Sequence, residues 1–200
     1  MMRVLSVQKF STSAQASVKN KWTCWRPIYP YTWALWQQSS YRHFANHINA
    51  LEGATILDLG TGIGSYIPLL KLRPGTRIIF TDPDPLALAQ AQLIRSDSSS
   101  HFSFDVLDAN RAIEKYSSVT HVSMLHVYSV LPDAVGLLEQ CHRQTPKAFL
   151  MIYLSKLNGR PWLNFLSTAF GFSQVDRGLL QTKFSMSSVG RSNQVFQGYA

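Results

Sequence analysis

The sequence predicts an α/β domain built on a doubly wound, mostly parallel sheet, and three observations predict it. Short apolar runs alternate with helix-patterned segments between residues 54 and 154. A glycine-rich turn, Asp58-Leu-Gly60-Thr-Gly62-Ile-Gly64, closes the first run, and acids stand just past the second and third. Strands joined through helices need right-handed crossovers, which produce a parallel sheet covered on both faces.

Residues 1–20 are rich in Ser and basic residues and hold no acid. That composition suits an organelle transit peptide as well as a flexible tail, and both readings stay open. Residues 21–52 form an expected aromatic helical cap, with Trp22, Trp25, Tyr29, Tyr31, Trp33, Trp36, Tyr41 and Phe44. Pro27 and Pro30 break its first part. From about 31 to 51 the spacing of Leu35, Tyr41, Phe44, Ile48 and Leu51 gives a helix with one apolar face.

The main domain is expected over 53–200. Strands are predicted over 54–59, 77–81, 101–106, 119–125 and 148–154, the last continuously apolar as a strand covered on both faces should be. Helices are predicted over 65–72, 85–95, 109–116 and 133–143, with Pro74-Gly75 stopping the first and Asp133 capping the last. Residues 97–100 read as a polar loop. A further helix is expected over 160–172, with Trp162, Phe165, Leu166 and Phe170 on one face. Two short segments near 174–181 and 195–200 would close the sheet as a hairpin, making seven strands with an antiparallel one at the C-terminal side.

Composition bounds the function. Apolar residues make up 46% and charged residues 15%, values of a globular chain, and no run of about 18 apolar residues exists to span a bilayer. Six of the basic residues lie in the first 51 positions with no carboxylate, while the rest of the chain carries 13 basic against 11 acidic. The net charge of +8 is therefore a property of the N-terminal arm, which makes nucleic acid an unexpected partner. Cys24 and Cys141 lack metal-ligand spacing and read as two thiols, with a disulfide left open.

Glycines let the turn after the first strand bend sharply and approach a ligand, and a helix starting at Ser65 would aim its N–H groups at that ligand. The spacing is GxGxG. A dinucleotide fingerprint would need its third glycine where Ser65 stands, and no P-loop lysine follows. Asp82, at the end of the second strand, is placed to accept both ribose hydroxyls, with Asp84 as its alternate. Asp108, after the third, is placed to meet an adenine amino group. Loop or capping roles are the plain alternative for these acids.

The stretches ATILDLGTGIGSY, IIFTDPDP, FDVLDA and VSMLHVYSVLPD together resemble the class I S-adenosylmethionine-dependent methyltransferases, over about residues 53 to 154. The resemblance implies a Rossmann-like seven-stranded fold, the cofactor S-adenosyl-L-methionine and the activity of a methyltransferase. By position it implies that Asp58, Gly60, Gly62 and Gly64 cradle the methionine part, with Thr61 inside the same turn. Asp82, followed by Pro83, would hold the ribose, and Asp108 with Ala109 would border the adenine. Leu125 and His126 would face the sulfonium and the acceptor. A weaker likeness, in VYSVLPDAVGLLEQCHRQTPKAFLMIYL, RPWLNFLSTAFGF and the terminal GYA, is to phospholipid N-methyltransferases and membrane-associated alkyl thiol methyltransferases. Thr145-Pro146-Lys147 stands where those enzymes carry Pro-Gly-Gly.

Methyl transfer is an in-line displacement, so a base is needed only where the acceptor must lose a proton. His126 is the candidate base and Tyr128 the candidate hydrogen-bond donor or pocket wall, with Ser129 behind them. No Asn/Asp-Pro-Pro-Tyr stretch follows the fourth strand, which argues against a flipped amino base as acceptor. His43 and His47, four apart on a predicted helix, lack a third ligand and read as a solvated face; His121 reads as strand packing. The expected acceptor is a small or lipid-like, thiol or quinone-like molecule. Peripheral membrane contact is expected through the basic aromatic arm, and localisation is expected to be cytoplasmic or membrane-peripheral, mitochondrial in a eukaryote. The competing functions are a non-catalytic cofactor-binding accessory protein and an NAD-binding oxidoreductase, the latter opposed by Ser65 and by the absence of a Tyr-xxx-Lys pair.

Overall fold

The computed structural model describes residues 33–94, 101–131, 133–155, 175, 177–191 and 193–200, with side chains from residue 37 onward in the first stretch. The predicted tail, the start of the aromatic cap, Cys24, the loop at 97–100 and the helix at 160–172 lie outside the described residues.

The described elements run α1 (Trp33–Ala50), β1 (Thr55–Leu59), β2 (Arg77–Thr81), α2 (Pro85–Ile94), β3 (Phe102–Asp105), α3 (Ala109–Lys115) and β4 (His121–Leu125). Then follow α4 (Ala134–Gln144), β5 (Phe149–Ser155), α5 (Arg177–Lys183), β6 (Ser185–Val189) and β7 (Asn193–Tyr199). The strands form one seven-stranded sheet in the order β3-β2-β1-β4-β5-β7-β6. All neighbouring pairs through β5 are parallel, and β7 runs antiparallel to both β5 and β6. The predicted architecture, with its reversed strand near the C-terminus, is the one found.

Residues alternate between two faces along each strand. Leu57, Leu59, Val122, Met124, Leu150 and Ile152 pack with Ala112 and Ile113 of α3 and with Leu137 and Leu138 of α4. Ile56, Ile78, Phe80, Met151 and Tyr153 pack on the opposite side with Phe44 and Ile48 of α1 and Leu88 and Ala91 of α2. Asp133 caps α4 as expected, accepting the Gly136 amide at 2.8 Å. Cys141 is a buried free thiol in this core.

Three local expectations are corrected. The helix predicted over 65–72 is only a 3-10 turn, Ile67–Leu69. Pro68 brings no N–H, and the chain leaves the turn extended at Leu70. Asn49 of α1 then holds the strip with its side-chain amide, donating to the Leu69 carbonyl at 3.0 Å and accepting from the Lys71 amide at 2.6 Å. The segment expected as a strand near 174–181 contributes α5, which buries Leu180, and the strand comes after it, at β6. The histidines of α1 are not a solvated face. His43 Nδ1 lies 3.0 Å from the Tyr153 hydroxyl, and the His47 ring stacks on Phe149 at 5.9 Å, beside His121.

Candidate active site

The strand order reverses between β1 and β4, and it is beyond the carboxyl ends of strands at such a switch point that open α/β sheets bind ligands. The glycine turn leaves β1 there, Asp82 leaves β2, and His126 leaves β4. Gly60, Gly62 and Gly64 have φ of 70°, 59° and 70°, the left-handed region where a side chain is disfavoured. Gly60 and Thr61 donate their amides to the Thr81 carbonyl at 2.8 and 3.0 Å, so the turn is hung from the tip of β2. A Cβ on Gly60 would overlap Val127, the residue after His126. A Cβ on Gly64 would meet Ile67 Cδ1 at 2.5 Å and Ala91 Cβ at 2.8 Å, so this glycine serves the close approach of α2.

Asp58 is 1% exposed and sits in register with Ser123 of β4. Ser123 Oγ donates to its Oδ1 at 2.5 Å, while Thr61 Oγ1 at 2.7 Å and the Tyr66 hydroxyl both donate to Oδ2. Burial pushes the Asp58 carboxyl up to about 6 against these three hydroxyls.

Asp82 accepts the Gly62 amide on Oδ2 and the Asp84 amide on Oδ1, each at 2.8 Å. Each oxygen keeps acceptor capacity beyond its one N–H. Burial also raises this carboxyl to about 6. Carboxyls raised by burial collect at functional sites and also in structural hydrogen-bond networks. Asp84, the alternate, accepts the Leu86 amide at 3.0 Å at the start of α2. Pro83 lies between the two acids.

Asp108 is the N-cap of α3, with Oδ1 accepting the Arg111 amide at 3.0 Å, and Ala109 is the first residue of that helix. The capping role weighed for this acid is the one seen.

His126 has φ of 62°, the one left-handed non-glycine among the described residues. Its amide donates to the Tyr153 carbonyl at 3.0 Å, which continues the β4–β5 ladder by one residue. Nε2 is buried and has no hydrogen-bond partner among the described residues, and burial lowers the imidazole to about 3. A base so weak takes a proton poorly at neutral pH. Leu125 before it is buried in the α1 face of the core. Tyr128, expected as a hydrogen-bond donor or as a pocket wall, is 2% exposed and packs in the core with residues of α3 and α4. Its placement supports the turn after β4. Ser129 Oγ donates back to the His126 carbonyl at 3.3 Å.

Sequence reasoning missed Tyr66 and Ser123. Ser123 interrupts the apolar run of β4, and Tyr66 stands just past the glycine turn, at the start of the 3-10 turn.

The profile of a methyltransferase-domain family matches residues 57–145. No curated protein matches the sequence. Among solved structures, the chain is similar to one in the complex between the Haloferax volcanii Trm112 methyltransferase activator and the putative methyltransferase, with a TM-score of 0.68 at 15% identity over 92% of this chain and 97% of that one. It is similar to magnesium protoporphyrin IX methyltransferase from Synechocystis PCC 6803 with bound S-adenosylhomocysteine, with 0.64 at 18% identity over 92% and 96%. It is also similar to Burkholderia thailandensis 1,6-didemethyltoxoflavin-N1-methyltransferase with bound 1,6-didemethyltoxoflavin and S-adenosylhomocysteine, with 0.58 at 16% identity over 98% and 92%. At these identities the likeness establishes the fold.

Proposed function

We propose that this chain is a class I S-adenosylmethionine-dependent methyltransferase that moves a methyl group to a small or amphipathic acceptor, a reading supported by the methyltransferase-domain match over residues 57–145 and by the fold it shares with structures holding S-adenosylhomocysteine. The observation that carries the reading is the glycine turn hydrogen-bonded to the buried Asp82 carboxylate at the switch point of the sheet. These residues fit the cofactor. Asp82 offers two oxygens with acceptor capacity to ribose hydroxyls.

The cofactor supplies an activated methyl group on a sulfonium, which leaves as a neutral thioether. The chain supplies position and dryness. The turn and Asp82 would hold the nucleoside, and the turn after β4 brings Val127 against Gly60. An imidazole lowered to about 3 stays neutral and does not repel a sulfonium beside it. An acceptor whose lone pair is already available, such as a thiolate, a neutral amine or an ionised phenol or enol, needs no base.

The magnesium protoporphyrin and toxoflavin enzymes, by their names, act on small molecules, which supports a small-molecule acceptor here. The basic aromatic arm supports peripheral contact with a membrane, at a cytoplasmic or organellar surface. Among the described residues no helix is long and apolar enough to cross one. Titration calorimetry tests the core of the reading: S-adenosylhomocysteine binds and NAD does not. Binding of NAD in preference would overturn it. Radiolabelled methyl transfer to thiol, amine and phenol panels then identifies the acceptor, and no transfer to any class would favour a cofactor-binding accessory protein. Flotation with anionic vesicles, residues 1–44 intact, tests the membrane contact.

A further inference from the structure

Asp58 stands where the family resemblance implies contact with the cofactor, yet protein groups enclose it. Both oxygens receive hydroxyl protons, from Ser123 on one side and from Thr61 and Tyr66 on the other. The donors come from three places: Ser123 from β4, Thr61 from within the glycine turn, and Tyr66 from just beyond it. The ring of Tyr66 is 2% exposed and packs on Tyr41 at 5.5 Å, Phe44 at 5.3 Å edge-on, and Phe80 at 6.4 Å. Tyr66 therefore links α1, the end of β2 and the exit of the turn to one carboxylate.

We propose that Tyr66 is a positioning residue, its hydroxyl acting with those of Thr61 and Ser123 to clamp the ionised Asp58 and so fix the glycine turn in the shape that receives the cofactor. Asp58 is then an internal anchor and not a ligand contact. The proposal rests on the methyltransferase reading for its ligand, while the clamp itself belongs to the protein alone.

Chemistry gives the clamp a signature. An ionised carboxylate only accepts, so all three hydroxyls can donate to it. A protonated Asp58 must donate once, and one hydroxyl loses its acceptor. The charged and titratable groups facing the clamp are Asp82 at the end of β2 and Tyr41 on α1. Asp82 titrates in the same range as Asp58, so wild-type behaviour alone does not separate them, and a variant must.

The test compares wild type with Tyr66→Phe, which keeps the ring and removes the donor. Without ligand, the variant is expected to melt lower than wild type at pH 8, with a deficit that shrinks as the pH falls through 6. With ligand, its S-adenosylhomocysteine affinity at pH 8 is expected to fall about tenfold, and the acid midpoint of binding to move up. A melting deficit independent of pH, or a binding midpoint that does not move, would overturn the proposal, because a ring that only packs predicts both. Should Tyr66→Phe fail to fold, Ser123→Ala removes the donor on the other oxygen and carries the same expectations. Wild type that fails to bind S-adenosylhomocysteine would sink the methyltransferase reading, while the ligand-free melting comparison would still decide whether the clamp exists.

Discussion

Asp82 Oδ2 accepts the Gly62 amide at 2.8 Å, which ties the acid after β2 to the turn after β1. The acid proposed to hold the ribose and the glycine turn are thus one hydrogen-bonded unit. Asp82→Asn keeps the shape of the side chain and loses the charge and one acceptor. It is expected to weaken S-adenosylhomocysteine binding by at least about tenfold, the scale of one lost charge-assisted hydrogen bond. Its melting temperature should fall modestly as well, since the new NH2 faces the amide of Gly62 or Asp84, each of which donates to a carboxylate oxygen in the wild type. Calorimetry and a thermal melt on the same sample check both halves.

Gly60 and Gly64 should fail differently. Gly60→Ala strains a left-handed backbone and drives a methyl into Val127, so it is expected to lose about 2 kcal/mol of stability together with cofactor binding. Adding Val127→Ala should restore part of the stability. Gly64→Ala pushes against Ala91 of α2, and a backbone helix cannot step aside as a valine can. A loss of about 3 kcal/mol is expected there, unrelieved by Val127→Ala. Denaturant melts of the four variants separate the cases.

Cofactor affinity should fall as the solution is acidified through pH 6. The Asp58 and Asp82 carboxyls both sit at about 6, each raised first by burial. Both are ionised above that value, and binding needs them ionised. The sign for their own contribution to stability is the reverse. Carboxyls raised above their unfolded value of 3.8 bind protons more tightly in the folded chain, so this contribution grows as the pH falls from about 6 to about 4. His121, lowered to about 4, and His126, lowered to about 3, oppose it, because the unfolded chain takes up their protons first. Affinity measured between pH 5 and 8 at constant ionic strength checks the first sign.

His126 should prove replaceable by Asn and intolerant of Val. Asn visits the left-handed region readily, whereas a β-branched residue at φ of 62° is expected to cost about 2 kcal/mol. If the imidazole is not a base, methyl transfer by His126→Asn retains the pH profile of wild type. Disappearance of an acidic limb in that variant would return the base role to His126.

Much of this was legible from residue patterns. The alternation of apolar runs with helical segments gave all five parallel strands to within two residues, because the inner strands are covered on both faces and read as mostly apolar runs, while the edge strand β3 was carried by Phe102 and Phe104. Strand β6 was misplaced because Ser185, Ser187 and Ser188 lie exposed at the sheet edge and leave no hydrophobic period to read. The helix after the glycine turn failed on Pro68 and on Asn49, a side chain 20 residues from the carbonyl it binds, which no local pattern reveals. Within the site, Asp82 and the glycines were visible as sequence spacing. The enclosure of Asp58 was not, since its donors are brought together only by the pairing of β1 with β4 and by the path of the chain through Tyr66.

The contact of α1 with the C-terminal hairpin sets an order of events during synthesis. Ser39 donates to the Val189 carbonyl, 150 positions later, and Asn193 donates to Ser39 in return. The first described helix therefore emerges from the ribosome long before its partners exist, and its apolar side waits on Met151 and Val195 for cover. Until the last two strands arrive, that flank of the nascent chain stays sticky, and a pause or a truncation late in translation should expose it to chaperones rather than leave a smaller working domain.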